Sequence, residues 1–388
     1  MSQLNYKQSV VAHARRIVIK VGSAVLSDAL GLSAEVIEQL AAQIEPAVRA
    51  GQEIVIVTSG AVAAGRARLS KLHGATIAAR QAAAATGQIE LMSAWARAFA
   101  VHGRTVAQIL LTHQDLAERR RRQNANQTIA ELLGAGVIPI VNENDTVAVE
   151  EIRLGDNDML SSLVASLVQA QLLIILSDVD GVLTADPRQR SDARLIPVIN
   201  DPEAEMRGLV AEHAGPLGSG GMATKLKAAR QAARAGIAVI IARGREGGIV
   251  TSALDPAREA GTLIVPAAVR LKSRKHWIAF ALRPAGSLAV DKGAADALRN
   301  RGRSLLPSGV REVRGDFSGG DCVSLLDPDG VEFGRGLVNY PASDVLKVAG
   351  RRSTEIPALL GYKVADEIIH RDNFVLISRG QSIHPAKE

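Results

Sequence analysis

Six short apolar runs rich in β-branched residues alternate with helix-patterned stretches along the first two-thirds of the chain, and this alternation narrows the fold more than any other feature. Strands are expected at Arg16–Val21, Glu53–Val57, Thr105–Leu110, Val137–Val141, Leu172–Leu176 and Ile237–Ala242. Helices are expected at Ala34–Arg49, Ala61–Leu69, Gln81–Ala100, Asn124–Leu133, Leu160–Gln169 and Lys225–Ala235. Gly51, Gly134, Gly136 and Gly236 punctuate the series, and Gly87 reads as a soft spot inside its helix. Runs that are apolar at every position belong to strands buried on both faces. The expected class is α/β, with an open, mostly parallel sheet sandwiched by helices.

Ligands of such sheets sit beyond the carboxyl ends of the strands. Chemically useful residues fall at three of those ends. Lys20 precedes Gly22 and Ser23, which suits an anion approaching the backbone, although strand-end lysines are also common surface cations. Thr58-Ser59-Gly60 opens a helix and can hold an anion at its positive end, or can be a plain cap with a tight turn. Asn142-Glu143-Asn144-Asp145 and Gly155-Asp156-Asn157-Asp158 add several carboxylates. Each alone reads as a helix cap; together they suit either Mg²⁺ or the orientation of phosphate-binding lysines.

Gly218-Ser219-Gly220-Gly221-Met222-Ala223-Thr224-Lys225 has the composition of a phosphate cradle or of a long linker. It is not a Walker A loop, and no G-x-G-x-x-G follows the first strand. Arg119–Arg122 reads as a solvated helix start, with phosphate binding as the lesser alternative. His73, His102, His113 and His213 stand in no nucleophile–base pattern and are read as structural or surface groups.

Length and charge argue for a second domain. A chain of 388 residues is long for one core. Residues 1–269 hold 27 Lys+Arg against 26 Asp+Glu, whereas residues 270–388 hold 19 against 14. The basic excess therefore lies in the last third, where turn signals recur at Pro307-Ser308-Gly309, Ser318-Gly319-Gly320-Asp321 and Asp327-Pro328-Asp329-Gly330. Short strands between such turns suggest a small barrel. The single cysteine, Cys322, excludes an intrachain disulfide or a cysteine metal cluster and fits a reducing compartment. No apolar run reaches the roughly 18 residues of a membrane span, and the expected location is the cytoplasm.

The stretches IVIKVGSAVL, IVIVTSGAVAAGR, GVIPIVNENDTVAVEEIRLGDNDMLS, LLIILSDVDGVLTADPR and GSGGMATKLKAA, in this order, resemble the amino acid kinase superfamily and within it the bacterial glutamate 5-kinases. GSLAVDKGAADAL, SLLPSGV, GDFSGGDCVSLL and ALLGY resemble the PUA domain that many of these enzymes carry. Ser23 and Ser177 stand where family members commonly have Thr, and both keep the hydroxyl. The resemblance implies an extension at 1–15, a catalytic domain at 16–268, a linker at 269–275, a PUA domain at 276–370 and a tail at 371–388. The extension is expected to be mobile.

The implied activity is ATP-dependent phosphorylation of the L-glutamate side-chain carboxylate, the first step of proline synthesis, with proline as feedback inhibitor. Mg²⁺ is the implied cofactor, with no protein metal ligands assigned. Lys20 and Lys225 would neutralise the transferring phosphoryl group, and Asp158 would orient both lysines. Ser59, Asp145 and Asn157 would hold glutamate, with Asp145 facing its α-amino group. Ser177, Asp178 and Ser219, Gly220, Gly221, Met222, Ala223, Thr224 and Lys225 would contact the nucleotide, together with Lys20. A homo-oligomer, dimer or tetramer, is implied. The alternatives are an RNA-binding or regulatory protein on the same scaffold, or a kinase for a related acidic substrate. PUA domains commonly bind RNA, but a regulatory or packing role is the preferred reading of this one.

Overall fold

The computed structural model describes residues 3–12, 14–28, 31–69, 76–148, 157–185, 187, 190–206, 209, 221–266, 278, 282 and 284–377. The chain divides into two compact units, residues 1–270 and 271–388.

Unit 1 is built on an eight-stranded sheet. Its strands in chain order are β1 (Arg16–Val21), β2 (Glu53–Thr58), β3 (Val106–Leu111), β4 (Ile138–Glu143), β5 (Leu172–Ser177), β6 (Val198–Ile199), β7 (Ala238–Arg243) and β8 (Thr262–Ile264). Across the sheet they run β3-β4-β2-β1-β5-β7-β8-β6. The first six in that order are parallel; β8 pairs antiparallel with β7 and parallel with β6. Every residue of β5 is buried, as are Ile17–Val21 of β1 and Ile54–Thr58 of β2. Burial on both faces explains why these strands read as unbroken apolar runs.

The principal helices are α1 (Gln3–Val10), α2 (Ala34–Arg49), α3 (Ala61–Arg68), α4 (Ile77–Ala100), α5 (Arg119–Gly134), α6 (Asn157–Leu167), α7 (Met222–Arg234) and α8 (Ile249–Leu254). Local chemistry explains several boundaries. The Ser33 hydroxyl caps α2 by accepting from the Val36 amide, and Glu35 and Arg49 lie at the ends that suit their charges. Glu118 caps α5 by accepting from the amides of Arg120 and Arg121, so the arginine run is indeed a helix start. The Ile17, Leu40, Ile44, Ile56, Trp95, Phe99, Ile174 and Ile240 side chains join one core.

Three expectations need correction. Gly87 is not a soft spot: a Cβ there would lie 1.9 Å from the Ala61 carbonyl oxygen, so the glycine permits α3 and α4 to touch backbone to backbone. Helix α6 begins at Asn157, and α7 at Met222, each three residues earlier than the sequence pattern suggests. Asn157 and Asp158 open α6, and Thr224 and Lys225 lie in the first turn of α7; these polar residues break the apolar period used to place the helices. The segment before β1 is also not a loose extension. Helix α1 docks through buried Gln3, which donates to the carbonyls of Pro197, Ala260 and Gly261 and accepts from the Ala260 amide. Lys7, fully buried, donates to the carbonyls of Ser252 (2.7 Å) and Arg258 (2.5 Å).

Unit 2 has a five-stranded mixed sheet: β9 (Gly286–Val290), β10 (Val310–Gly315), β11 (Cys322–Leu326), β12 (Glu332–Leu337) and β13 (Phe374–Leu376), ordered β10-β9-β11-β12-β13. Only the β9–β11 pair is parallel. Helices at Lys292–Arg301, Ala342–Val348 and Ile356–Leu360 complete it. Leu288, Phe317, Val323, Tyr340, Val345, Ile356 and Phe374 form its own core. Cys322 is buried there with its thiol pushed up to about 12 by burial, so it carries no nucleophilic chemistry. The residues of the expected linker, 269–275, lie outside the described part of the chain, as does most of the expected tail.

Candidate active site

The carboxyl ends of the central strands bring two polar clusters together. The first is a charged clamp. Lys20 on β1 and Lys225 on α7 face one carboxylate, Asp158 on α6. Lys20 Nζ lies 2.5 Å from Asp158 Oδ1, and Lys225 Nζ lies 3.5 Å from Oδ2. The Thr224 hydroxyl adds a bond to Oδ2 at 3.2 Å. All three charged residues are buried, with relative exposures of 5% for Lys20, 2% for Asp158 and 7% for Lys225. Burial pushes the Asp158 carboxyl up, but the two lysine charges and the bonds from Lys20 and Thr224 outweigh it, so Asp158 stays below its ordinary value.

Two ammonium groups thus converge on one buried carboxylate, and the charge of Lys225 also reaches Asp178. Such a concentration of fixed positive charge beside a strand end favours an incoming anion. Gly22 supports the arrangement: a Cβ there would lie 3.3 Å from the Leu176 carbonyl oxygen and 3.5 Å from Lys20 Nζ. Lys225 was expected within a glycine loop; it stands in the first turn of α7, behind the cap residue Gly221. A helix fixes its direction better than a loop would. Of the expected nucleotide contacts, Met222, Ala223 and Thr224 share this turn, while Ser219 and Gly220 lie outside the described residues.

On the β5 side, Ser177 ends the strand and donates to Asp178 Oδ1 at 2.9 Å. Burial raises the Asp178 carboxyl, but the Ser177 hydroxyl, its own amide and the charges of Lys225 and Arg243 lower it overall. Arg243, at the end of β7, pairs with Asp180. These groups line the opposite flank of the clamp from β2 and β4.

The second cluster is a set of neutral amides. Asn157 Nδ2 donates to the Thr58 carbonyl (2.9 Å), Ser59 Oγ (2.8 Å) and Asn142 Oδ1 (3.1 Å). Asn142 Nδ2 in turn donates to Gln88 Oε1 at 2.8 Å. Gly60, in the left-handed region at φ 109°, lets the chain turn from β2 into α3 directly after Ser59. Trp95 Nε1 donates to Thr58 Oγ1 and anchors this strand end from α4.

Asp145 follows β4 in a turn and receives no hydrogen bond from the described residues. Burial raises its carboxyl, and the charge of Arg80 opposes the shift. The structure thus joins Lys20, Asp158, Lys225 and Thr224 in one cluster and Ser59 with Asn157 in another. Sequence reasoning missed Gln88, Arg80 and the part played by Asn142. Asn142 was visible as the first residue of its acidic block; Arg80 in the first turn of α4 and Gln88 in its interior carry no local signal.

No group of three or more His, Cys, Asp or Glu side chains among the described residues is arranged to hold a metal ion. No described helix is long and apolar enough to cross a membrane.

The pattern of the amino acid kinase family matches residues 15–243, and that of the PUA domain matches residues 286–360. Glutamate 5-kinase of Geobacter sp. (strain M21) is 48% identical over 373 residues, covering 96% of this chain and 100% of that protein. Glutamate 5-kinase of Trichlorobacter lovleyi is 47% identical, covering 96% and 99% respectively. Glutamate 5-kinase of Thermus thermophilus is 48% identical, covering 94% and 97%.

Proposed function

This chain belongs to the amino acid kinase family, and we propose that it transfers the γ-phosphoryl group of ATP to the side-chain carboxylate of L-glutamate. The observation that carries the chemistry is the buried clamp of Lys20, Asp158 and Lys225. Near-identical extent and 48% identity to glutamate 5-kinases carry the choice of substrate.

A glutamate side chain, with a reference pKa of about 4.3, is already an anion at neutral pH. The reaction needs no general base. A carboxylate oxygen forms a bond to the γ-phosphorus, the bond from that phosphorus to the β,γ-bridging oxygen breaks, and ADP leaves. The product is a mixed carboxylic–phosphoric anhydride. The barrier is charge: one anion attacks another. Two ammonium groups held by Asp158 address that barrier through fixed positive charge and alignment.

The sheet order divides the labour. Ser177, Asp178 and the first turn of α7 face the nucleotide, on the β5 side of the clamp. Ser59, Asn157 and Asp145 face the acceptor, on the β2 and β4 side. Asp145 pairs with the α-ammonium group, which would return its raised carboxyl toward the ordinary range. Mg²⁺, carried on the nucleotide phosphates, would supply further positive charge to the transferring group. A small hard cation that keeps its waters needs few protein ligands, and Asp158 is already engaged by two lysines.

Proline, which shares the α-carboxylate and amino group of glutamate, inhibits at or beside the acceptor site. The enzyme works in the cytoplasm at the start of proline synthesis. The intact clamp weighs against a scaffold whose only role is RNA binding. The deciding experiment is ADP release with Mg-ATP and a panel of acidic amino acids, with hydroxylamine trapping of the acyl phosphate. Glutamate-dependent ADP release with hydroxamate formation is expected. Turnover with aspartate or N-acetylglutamate but not glutamate would overturn the reading.

A further inference from the structure

The amide cluster has a direction, and its two ends are open. The Thr58 carbonyl can only accept, so the group on Asn157 that faces it must be the NH₂. That NH₂ also faces Asn142 Oδ1, which leaves the Asn142 NH₂ to donate to Gln88 Oε1. The Gln88 NH₂ is then the free end. Among the described residues, Gln88 Nε2 and Asn157 Oδ1 are both buried polar atoms without a hydrogen-bond partner. One is a donor and the other an acceptor. Buried amide groups left open are costly, and a ligand that fills them recovers the loss.

Position indicates which part of a ligand does so. Asn157 is next in sequence to Asp158 of the clamp. The relay then leads away from β1, past Ser59 at the end of β2, to Asn142 on β4 and Gln88 on α4. Neighbouring strands are spaced by about 4.8 Å, so this path has the reach of a small amino acid. With the side-chain carboxylate at the lysines, the α-carbon end of the acceptor lies toward Gln88.

We propose that Gln88 is a substrate-binding and specificity residue: its Nε2 donates to the α-carboxylate of the acceptor, while Asn157 Oδ1 accepts from the acceptor's ammonium group. This rests on the reading that the acceptor is L-glutamate. The relay also gives Gln88 a positioning role, since its Oε1 holds the Asn142 amide in the orientation that serves Asn157.

The test uses the full chain with Q88E and Q88L, and two acceptors: L-glutamate and its α-amide, isoglutamine. Q88E keeps the acceptor for Asn142 but replaces the free donor with a carboxylate oxygen. It is expected to raise the KM for glutamate by about 10- to 100-fold, with the KM for ATP within about twofold of wild type. Its preference for glutamate over isoglutamine should fall at least as far, because a neutral amide can donate to Glu where a carboxylate is repelled. A purely structural role would move stability but not that preference. If Q88E does not fold, Q88L decides, since it also removes the donor and should also lose the preference. Wild-type preference retained in the folded variant overturns this inference alone. Absence of glutamate turnover in the wild-type protein overturns the functional reading and this inference with it.

Discussion

Asp158 holds two lysines that would otherwise repel each other in a buried site. Asp158→Asn should therefore lower kcat more than it changes either KM. Lys20→Ala and Lys225→Ala should act likewise, each by about 10²- to 10³-fold, the usual cost of losing one charge-stabilising donor. Steady-state kinetics at saturating substrate checks this, and near wild-type turnover would refute it. The same carboxyl has a pH consequence. Its folded-state pKa lies below the reference value of 3.8, so its stabilising contribution is complete above that pH. The contribution is lost as the pH falls through the lowered value. Asp145 behaves in the opposite sense. Its carboxyl is raised by burial, so it gains a proton at a higher pH than an ordinary aspartate. The KM for glutamate should rise as the pH falls through that raised value, because the negative partner of the ammonium group is neutralised. Asp145→Asn should show a high KM and no such pH dependence, with the KM for ATP little changed. Equal effects on the two KM values would place Asp145 elsewhere than against the acceptor.

Among the elements, the α3–α4 crossing is the most demanding. A Cβ on Gly65 would lie 1.7 Å from the Ala83 carbonyl oxygen, and one on Gly87 would lie 2.3 Å from the Gly65 nitrogen. Backbone atoms cannot move aside as a flexible side chain would. Gly87→Ala should destabilise the protein by about 1–3 kcal/mol or more and push α3 away from α4. Because α3 directly follows Ser59-Gly60, and Gln88 is the next residue on α4, the KM for glutamate should rise with it. Thermal melting and kinetics measured together check the pair of effects. Helix α1 offers a second test. Burial lowers the Lys7 pKa to about 8 from 10.5, against the opposing charges of Asp255 and Glu259. Between those values the unfolded chain binds more protons than the folded one, so this group makes stability rise with pH. Lys7→Met should flatten that rise, and denaturation curves from pH 8 to 10.5 comparing the two proteins measure the difference. An identical pH slope in both would show that Lys7 does not titrate in this way.

At the scale of the whole molecule, every described side chain assigned to chemistry belongs to unit 1, and each unit has its own core. Truncation after residue 270 should leave a folded protein with measurable glutamate-dependent ATP turnover. Circular dichroism and ADP release check this. A soluble, folded and inactive truncation would show that unit 2 completes the site. Proline should raise the apparent KM for glutamate in the full chain, and comparison with the truncated form tests whether unit 2 biases that response. The basic excess of residues 270–388 allows a direct RNA test, in which genuine binding would weaken steeply with added salt.

How much of this was legible beforehand follows from the range of the forces involved. β1, Arg16–Val21, and α2, Ala34–Arg49, fall where the sequence pattern puts them, because unbroken apolar runs and helical periodicity are local consequences of burial. Lys20, Ser59, Asn157, Asp158 and Lys225 could be nominated because they stand beside strand ends or helix starts, where a parallel sheet presents its ligands. The starts of α6 and α7 differ from the sequence pattern because the polar residues in their first turns, Asn157, Asp158, Thr224 and Lys225, find partners far along the chain. Gly87 was misread for the same reason: its only telling neighbours, Ala61 and Gly65, lie on another helix. Only the tertiary structure could join Lys20, Asp158 and Lys225 around one carboxylate, or orient the amides from Thr58 to Gln88. Local sequence determines which backbone each segment prefers. The charge balance and hydrogen-bond direction of a site depend on groups tens to hundreds of residues apart, and they exist only once the sheet has closed that distance.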